Sequence, residues 1–116
     1  MTIRRNALAW QPLCGEVREM KHLVHEYAAK VIGADGRRYR VSACASERAD
    51  GRWVGWLEFD ADGSVLRTGR ETTQPDFTCL EYWAQGVEPI YLEGALDRAR
   101  RDAEDHARIM AEAVLV

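Results

Sequence analysis

The densest group of chemically capable side chains is Arg70, Glu71, Thr72 and Gln74, followed by Tyr82 and Trp83. A guanidinium, a carboxylate, a hydroxyl and an amide beside two large aromatics are the ingredients of a small polar pocket with an apolar wall, or of a partner surface. The same stretch also has a structural reading. Arg70 pairs with Glu71, Thr73 and Asp76 cap a helix, and the aromatics fill core. Other patterns carry less. Asp60, Asp62, Ser64, Thr68 and Glu71 follow the spacing of a calcium loop, but Val65 stands where that loop needs glycine, between strands rather than helices. His22-x-x-His25 with Glu26 would share one face of a helix but split across a strand, and His106 has only Asp102 and Asp105 beside it. No metal or cofactor is therefore expected. Glycine-rich phosphate loops and a Gly-x-Ser-x-Gly elbow are absent, and Ser42, Ser46 and Ser64 lack recognisable His or Asp partners. This weighs against an enzyme.

Charge narrows the partners further. Arg37, Arg38, Arg40, Arg52, Arg67 and Arg70, with Trp53 or Trp56, offer guanidinium and stacking groups for a nucleic acid. The whole chain nevertheless has 16 basic against 19 acidic side chains, a net charge of −3, which gives a polyanion little to bind. No run reaches the ~18 apolar residues of a membrane helix, and the start, Met1-Thr-Ile-Arg-Arg-Asn, has no apolar signal region. Cys14, Cys44 and Cys79 are odd in number and widely spaced, which argues against a disulfide framework or a cysteine zinc site. A reducing cytoplasm is the expected location, with each thiol a small buried hydrophobe.

The elements that must position these groups come from periodicity. At 116 residues, 47% of them hydrophobic, the chain suits one domain with its own core. Ala-Asp-Gly occurs at 34–36, 49–51 and 61–63, and Asp-Gly between alternating segments is a strong hairpin signal, because a type I′ turn needs positive φ at both central residues. The second turn, widened by Glu47 and Arg48, is a candidate for a longer loop. Between the turns, Tyr39, Val41, Ala43 and Ala45 share one face of a strand, as do Trp53, Leu57 and Phe59, and 64–68 gives a shorter strand. Residues 16–33 read either as a helix or, over 25–33, as the strand preceding the first turn; the repeated turn favours the strand.

We therefore expect an irregular lead-in over 1–24, a β-meander with one well-buried face over 25–72, and a helical part over 73–116. Thr73 caps a helix over 74–85, with Phe77, Leu80, Tyr82, Trp83 and Ala84 available for packing. Pro89 opens a second helix to about 114. Leu92, Leu96, Ala99, Ala103, Ala107, Met110 and Val114 form its apolar stripe; Asp97–Arg101, Arg98–Asp102, Arg101–Asp105, Glu104–Arg108 and Arg108–Glu112 are candidate ion pairs. Its ~26 residues span about 39 Å, more than the ~26–30 Å breadth of a domain this size. The fold class is α+β: an antiparallel meander of three to four strands followed by two C-terminal helices on one face.

The strings Asp50-Gly-Arg-Trp-Val-Gly-Trp-Leu-Glu-Phe59, Arg67-Thr-Gly-Arg-Glu-Thr-Thr-Gln-Pro75 and Tyr82-Trp-Ala-Gln-Gly-Val-Glu-Pro-Ile-Tyr-Leu-Glu-Gly-Ala-Leu96 resemble a family of short bacterial proteins of unknown function. The resemblance covers about residues 25–100 and brings no reaction or cofactor. A strand beginning Tyr39-Arg-Val and a helix with Glu93-Gly-Ala-Leu96 are similar to the meander and helix of HicB-type antitoxins. The expected function is a non-enzymatic interaction module, acting as a homo-oligomer or with a small protein partner. The alternatives are a ligand-binding protein or enzyme using the Arg70–Asp76 corner, and an antitoxin- or immunity-type protein.

Overall fold

A computed structural model describes residues 20–115. Of the lead-in expected over 1–24, residues 1–19, with Cys14, lie outside them, whereas residues 22–24 are not irregular but open the first strand. The elements are β1 (His22–Glu26), β2 (Val31–Ile32), β3 (Arg38–Glu47), β4 (Trp53–Ala61), β5 (Ser64–Arg67), β6 (Thr72–Gln74), α1 (Phe77–Gly86) and α2 (Pro89–Leu115). Every strand pairing is antiparallel: β1 and β2 lie along one side of β3, and β5 and β6 along the far side of β4. The fold is α+β as expected, with both outer strands broken in two.

The three Ala-Asp-Gly turns differ. Asp62 and Gly63 both have positive φ, 55° and 85°, so the two-residue loop between Ala61 and Ser64 has the I′ signature. In the other two only the glycines do, Gly36 at 81° and Gly51 at 89°. There Gly33 N–H bonds Arg37 O and Arg48 N–H bonds Arg52 O, enclosing three residues each. A type I turn closed by a left-handed glycine fits such a loop. The aspartate then caps its own loop: Asp35 Oδ1 accepts from Arg37 N and Asp50 Oδ1 from Arg52 N, both at 3.0 Å. These backbone bonds hold both carboxyls below the usual aspartate range, helped by the Tyr39 hydroxyl at Asp35 and the Arg52 guanidinium at Asp50.

The outer strands break for identifiable reasons. β1 carries a bulge between Leu23 and His25, so that His22 faces Ala45 and His25 faces Ala43. The extra residue cancels the expected parity and brings both histidines to the core side. At the other edge, the Thr68 hydroxyl takes the place of a strand carbonyl. It accepts from Leu57 N at 3.0 Å and donates to Gly69 O at 3.0 Å, while Thr68 N–H bonds Leu57 O. This explains why a threonine only 3% exposed is tolerated there.

One sheet face carries Tyr39, Val41 and Ala43 opposite Leu57, Phe59 and Ala61, and the helices lay Ala84, Leu92, Ala95 and Leu96 on it. Contrary to the single buried face expected, Cys44 and Trp56 on the reverse face are also buried, at 1% and 4% exposure. The Arg67 guanidinium covers the Trp56 ring at 4.0 Å. Glu58 accepts from the Trp56 indole at 3.0 Å and from Lys21 at 3.1 Å. Burial opposes ionisation of Glu58, but these bonds outweigh it and hold the carboxyl below its usual range.

Thr73 is not the helix cap. Its backbone is used in β6, opposite Val54, and the cap is Asp76, whose carboxylate accepts from Cys79 N at 2.8 Å. α1 therefore starts at Phe77 and ends with Gly86. It lies close to β4 because position 55 is glycine: a Cβ there would come within 2.9 Å of Leu80 Cδ1 and 3.1 Å of Thr72 Cγ2 and Trp83 Cζ3. Cys79 is exposed rather than buried, and Tyr82 is 80% exposed rather than core. Both lie on the solvent side of α1, whose buried residues are Leu80 and Ala84.

Candidate functional site

Of the six residues singled out at the strand-to-helix corner, Glu71 is the most constrained. Its side chain is 7% exposed. It does not pair with Arg70, which is exposed. α2 supplies its partners: the Tyr91 hydroxyl donates a short hydrogen bond to Oε1, and the Arg98 guanidinium lies 3.1 Å from Oε1 and 3.4 Å from Oε2. The bond to Glu71 pushes the Tyr91 hydroxyl above its usual range, because ionised tyrosine could not donate it. Arg98 was expected to pair with Asp102, one turn along. It turns instead toward the sheet, where the largely buried Glu71 carboxylate would be costly to leave unpaired.

The remaining members are divided. Thr72 accepts from the Gln74 amide at 2.7 Å, so these two satisfy one another along β6. Thr72 and Trp83 meet over Gly55. Tyr82 projects into solvent. The corner thus brings Glu71, Thr72, Gln74 and Trp83 to one end of the sheet but spends them on one another and on α2. Both Glu71 oxygens are engaged, so no unpartnered base faces outward. The chemistry this geometry performs is fastening β6 to α2.

Other polar groups are placed in the same way. Asp35 Oδ2 accepts from the Tyr39 hydroxyl at 2.8 Å and lies 3.8 Å from Arg100 Nε, tying the first hairpin to α2. The Tyr27 hydroxyl donates to Ala84 O at 2.6 Å, and burial pushes its pKa up to about 12. Burial also raises the Cys44 thiol, which opposes formation of a reactive thiolate. His22 packs its edge on Trp53 and His25 on Tyr27, with centroids 5.1 and 4.6 Å apart. Among the described residues no group of three or more His, Cys, Asp or Glu is arranged to hold a metal.

The arginines considered for nucleic acid are largely committed. Arg37 donates to Ala61 O, Arg40 approaches Asp60 and Arg52 is bonded to Asp50, while Arg67 stacks on Trp56. No helix among the described residues is long and apolar enough to cross a membrane.

Open space lies away from the corner, along the flank of α2. One recess of about 330 Å³ has Tyr27, Val31, Val87 and Leu92 in its lining. A second, of about 380 Å³, lies between the end of β2 and α2 and includes Gly33, Ala34, Ile90 and Asp97. The two share Ile32 and Glu93. Ile32 is 63% exposed and Ile90 76%, so this groove presents branched apolar side chains to solvent.

Along α2 burial changes abruptly. Leu92, Ala95, Leu96 and Ala99 are buried, whereas every residue from Arg101 to Ala113 is exposed. The stripe is buried only in its first half, and the far half projects, as the length of the helix against the breadth of the domain implied. Beyond Arg100 the helix has left the sheet. Asp97–Arg101 forms as expected at 3.4 Å, but Arg108 pairs with Asp105, three residues back, at 3.0 Å. Comparison with protein-family models, curated proteins and solved structures gives no match, and so attaches no activity to these features.

Proposed function

We propose that this protein is a non-enzymatic interaction module that self-associates through the second half of α2. The observation supporting this reading is the arm itself. Thirteen consecutive helical residues, 101–113, are all exposed among the described residues, although Ala103, Ala107 and Met110 continue the buried stripe of Leu92, Leu96 and Ala99. An isolated helix of that length is marginal in water, since most helical stability in proteins comes from packing an apolar face. A partner along this face supplies the missing packing. The corner residues serve as its rigid support, because Glu71 and Arg98 anchor α2 just before it departs.

Sedimentation velocity on the full chain between 1 and about 100 μM tests the proposal. The expected result is a concentration-dependent dimer that Ala107→Glu or Met110→Glu converts to monomer. Glutamate keeps helix propensity while placing charge on the stripe. A wild-type chain that stays monomeric throughout refutes the reading.

A further inference from the structure

We infer that the arm of one copy seats in the α2 groove of a second copy, the two helices running antiparallel about a two-fold axis near Asp102. This rests on the self-association proposed above and specifies its surface. Three observations carry it. The first is length: the groove's helical wall runs from Ile90 to Arg100 and the exposed arm from Arg101 to Ala113. Groove and arm are adjacent, nearly equal stretches of one helix. A single two-fold axis between them seats each arm in the other copy's groove at once, which closes the assembly as a dimer.

The second is chemistry. An arm lying beside α2 in this way turns its stripe of Ala103, Ala107 and Met110 toward the groove's other wall, at the end of β2. The exposed Ile32 stands there, 63% open to solvent among the described residues. The third is charge. In this register residue i lies near residue 204 − i of the other copy. Asp97 then meets Arg108 of the partner subunit, twice by symmetry, whereas Arg100 already approaches Glu104 of its own chain at 3.7 Å. Asp97 and Arg108 cannot interact within one chain, because eleven residues of helix separate them by about 16 Å. Each arm is about 20 Å long and about 10 Å across, so the two together bury on the order of 1,000 Å². That is the low end for a specific interface, and dissociation in the micromolar range is expected.

The test is a charge exchange read by sedimentation, with thermal melts confirming that each variant folds. Asp97→Arg and Arg108→Asp are each expected to weaken the dimer about tenfold, and D97R/R108D to recover most of that loss. Each single change also disturbs ion pairs within its own chain, but that disturbance persists in the double variant, so recovery reports contact between copies. Ile32→Glu, on a different element, is expected to abolish the dimer. If the wild type dimerises and Met110→Glu breaks the dimer while Ile32→Glu and the charge exchange leave it unchanged, the groove is refuted and self-association stands. A double variant no tighter than the weaker single one refutes the register. A monomeric wild type refutes both.

Discussion

Two glycine-to-alanine changes in the same chain should move stability in opposite directions. At Gly55 a Cβ would be 2.9 Å from Leu80 Cδ1 and 3.1 Å from both Thr72 Cγ2 and Trp83 Cζ3. Leu80 is fully buried and Thr72 is held in β6, so the new methyl cannot be accommodated by one flexible side chain turning aside. Overpacking of this kind costs about 1–3 kcal/mol. A gain of ~0.5–1 kcal/mol from reduced unfolded-state freedom offsets part of it. The net expectation for Gly55→Ala is a loss of about 1–2 kcal/mol. Gly94 lies inside α2, where a Cβ would meet no atom within 4 Å. There the helix-propensity gain stands alone, and Gly94→Ala should stabilise by about 0.5–1 kcal/mol. For a chain of this size each kcal/mol moves the melting temperature by about 3–6 °C. The assay is urea unfolding followed by tryptophan fluorescence at sub-micromolar protein, so that self-association contributes nothing. A neutral or stabilising Gly55→Ala would refute the claim that glycine is required for α1 to approach β4. A destabilising Gly94→Ala would show that the outer flank of α2 is not free.

Thr68→Val keeps the shape but strips Leu57 N–H of its buried acceptor, and should cost about 1–3 kcal/mol in urea unfolding. Glu71→Gln leaves the Tyr91 and Arg98 donors facing a neutral amide and should cost about 1–2 kcal/mol, with the melt losing cooperativity if β6 and α2 separate. Tyr27 predicts an alkaline effect. Its folded pKa, about 12, is raised above the unfolded value of about 10, so its contribution is complete below pH ~10 and fades as pH rises toward 12. Tyr27→Phe should flatten stability across that window while costing about 1 kcal/mol at neutral pH from the lost bond to Ala84 O. A chain ending after Arg101 should match the full chain's unfolding midpoint within about 0.5 kcal/mol at sub-micromolar concentration, because no described residue of the arm is buried.

The sheet was readable because its signals are local. Alternation along 39–45 and 53–59 placed Tyr39, Val41, Leu57 and Phe59 on the core face, and Ala-Asp-Gly marked each reversal. What escaped depends on single residues out of step with their neighbours. A one-residue bulge moved His25 to the core side, and no periodicity reports a bulge. The Thr73 cap failed because a capping motif describes a preference of the side chain. Here β6 had already claimed the Thr73 backbone, so the helix starts three residues later and Asp76 caps it by accepting from Cys79 N–H. At the corner, Glu71 is a charged side chain only 7% exposed. Its partner was wrong because Arg98 lies 27 residues away, and adjacency in sequence pointed to Arg70. Asp35 offered a better clue: it repeats the turn role of Asp50, yet only Asp35 has a tyrosine four residues on to recruit it.

The stripe on α2 shows why periodicity alone could not divide the helix. Leu92, Leu96 and Ala99 and then Ala103, Ala107 and Met110 continue one apolar pattern, and nothing in their spacing says where the protein's own sheet ends. Side-chain size does carry a trace of it. The buried half begins with two leucines, which belong to the core cluster that also holds Phe59 and Leu57, while the stripe of the exposed half begins with two alanines. Alanine commits little apolar area and little side-chain entropy, so an arm made of it survives exposure in the monomer yet allows another backbone to approach closely. A leucine-rich arm of equal length would bind more tightly but would expose a far larger apolar patch when alone. The composition of the arm therefore favours association that is reversible and of modest affinity, in keeping with a groove of limited area and with charges that pair across it.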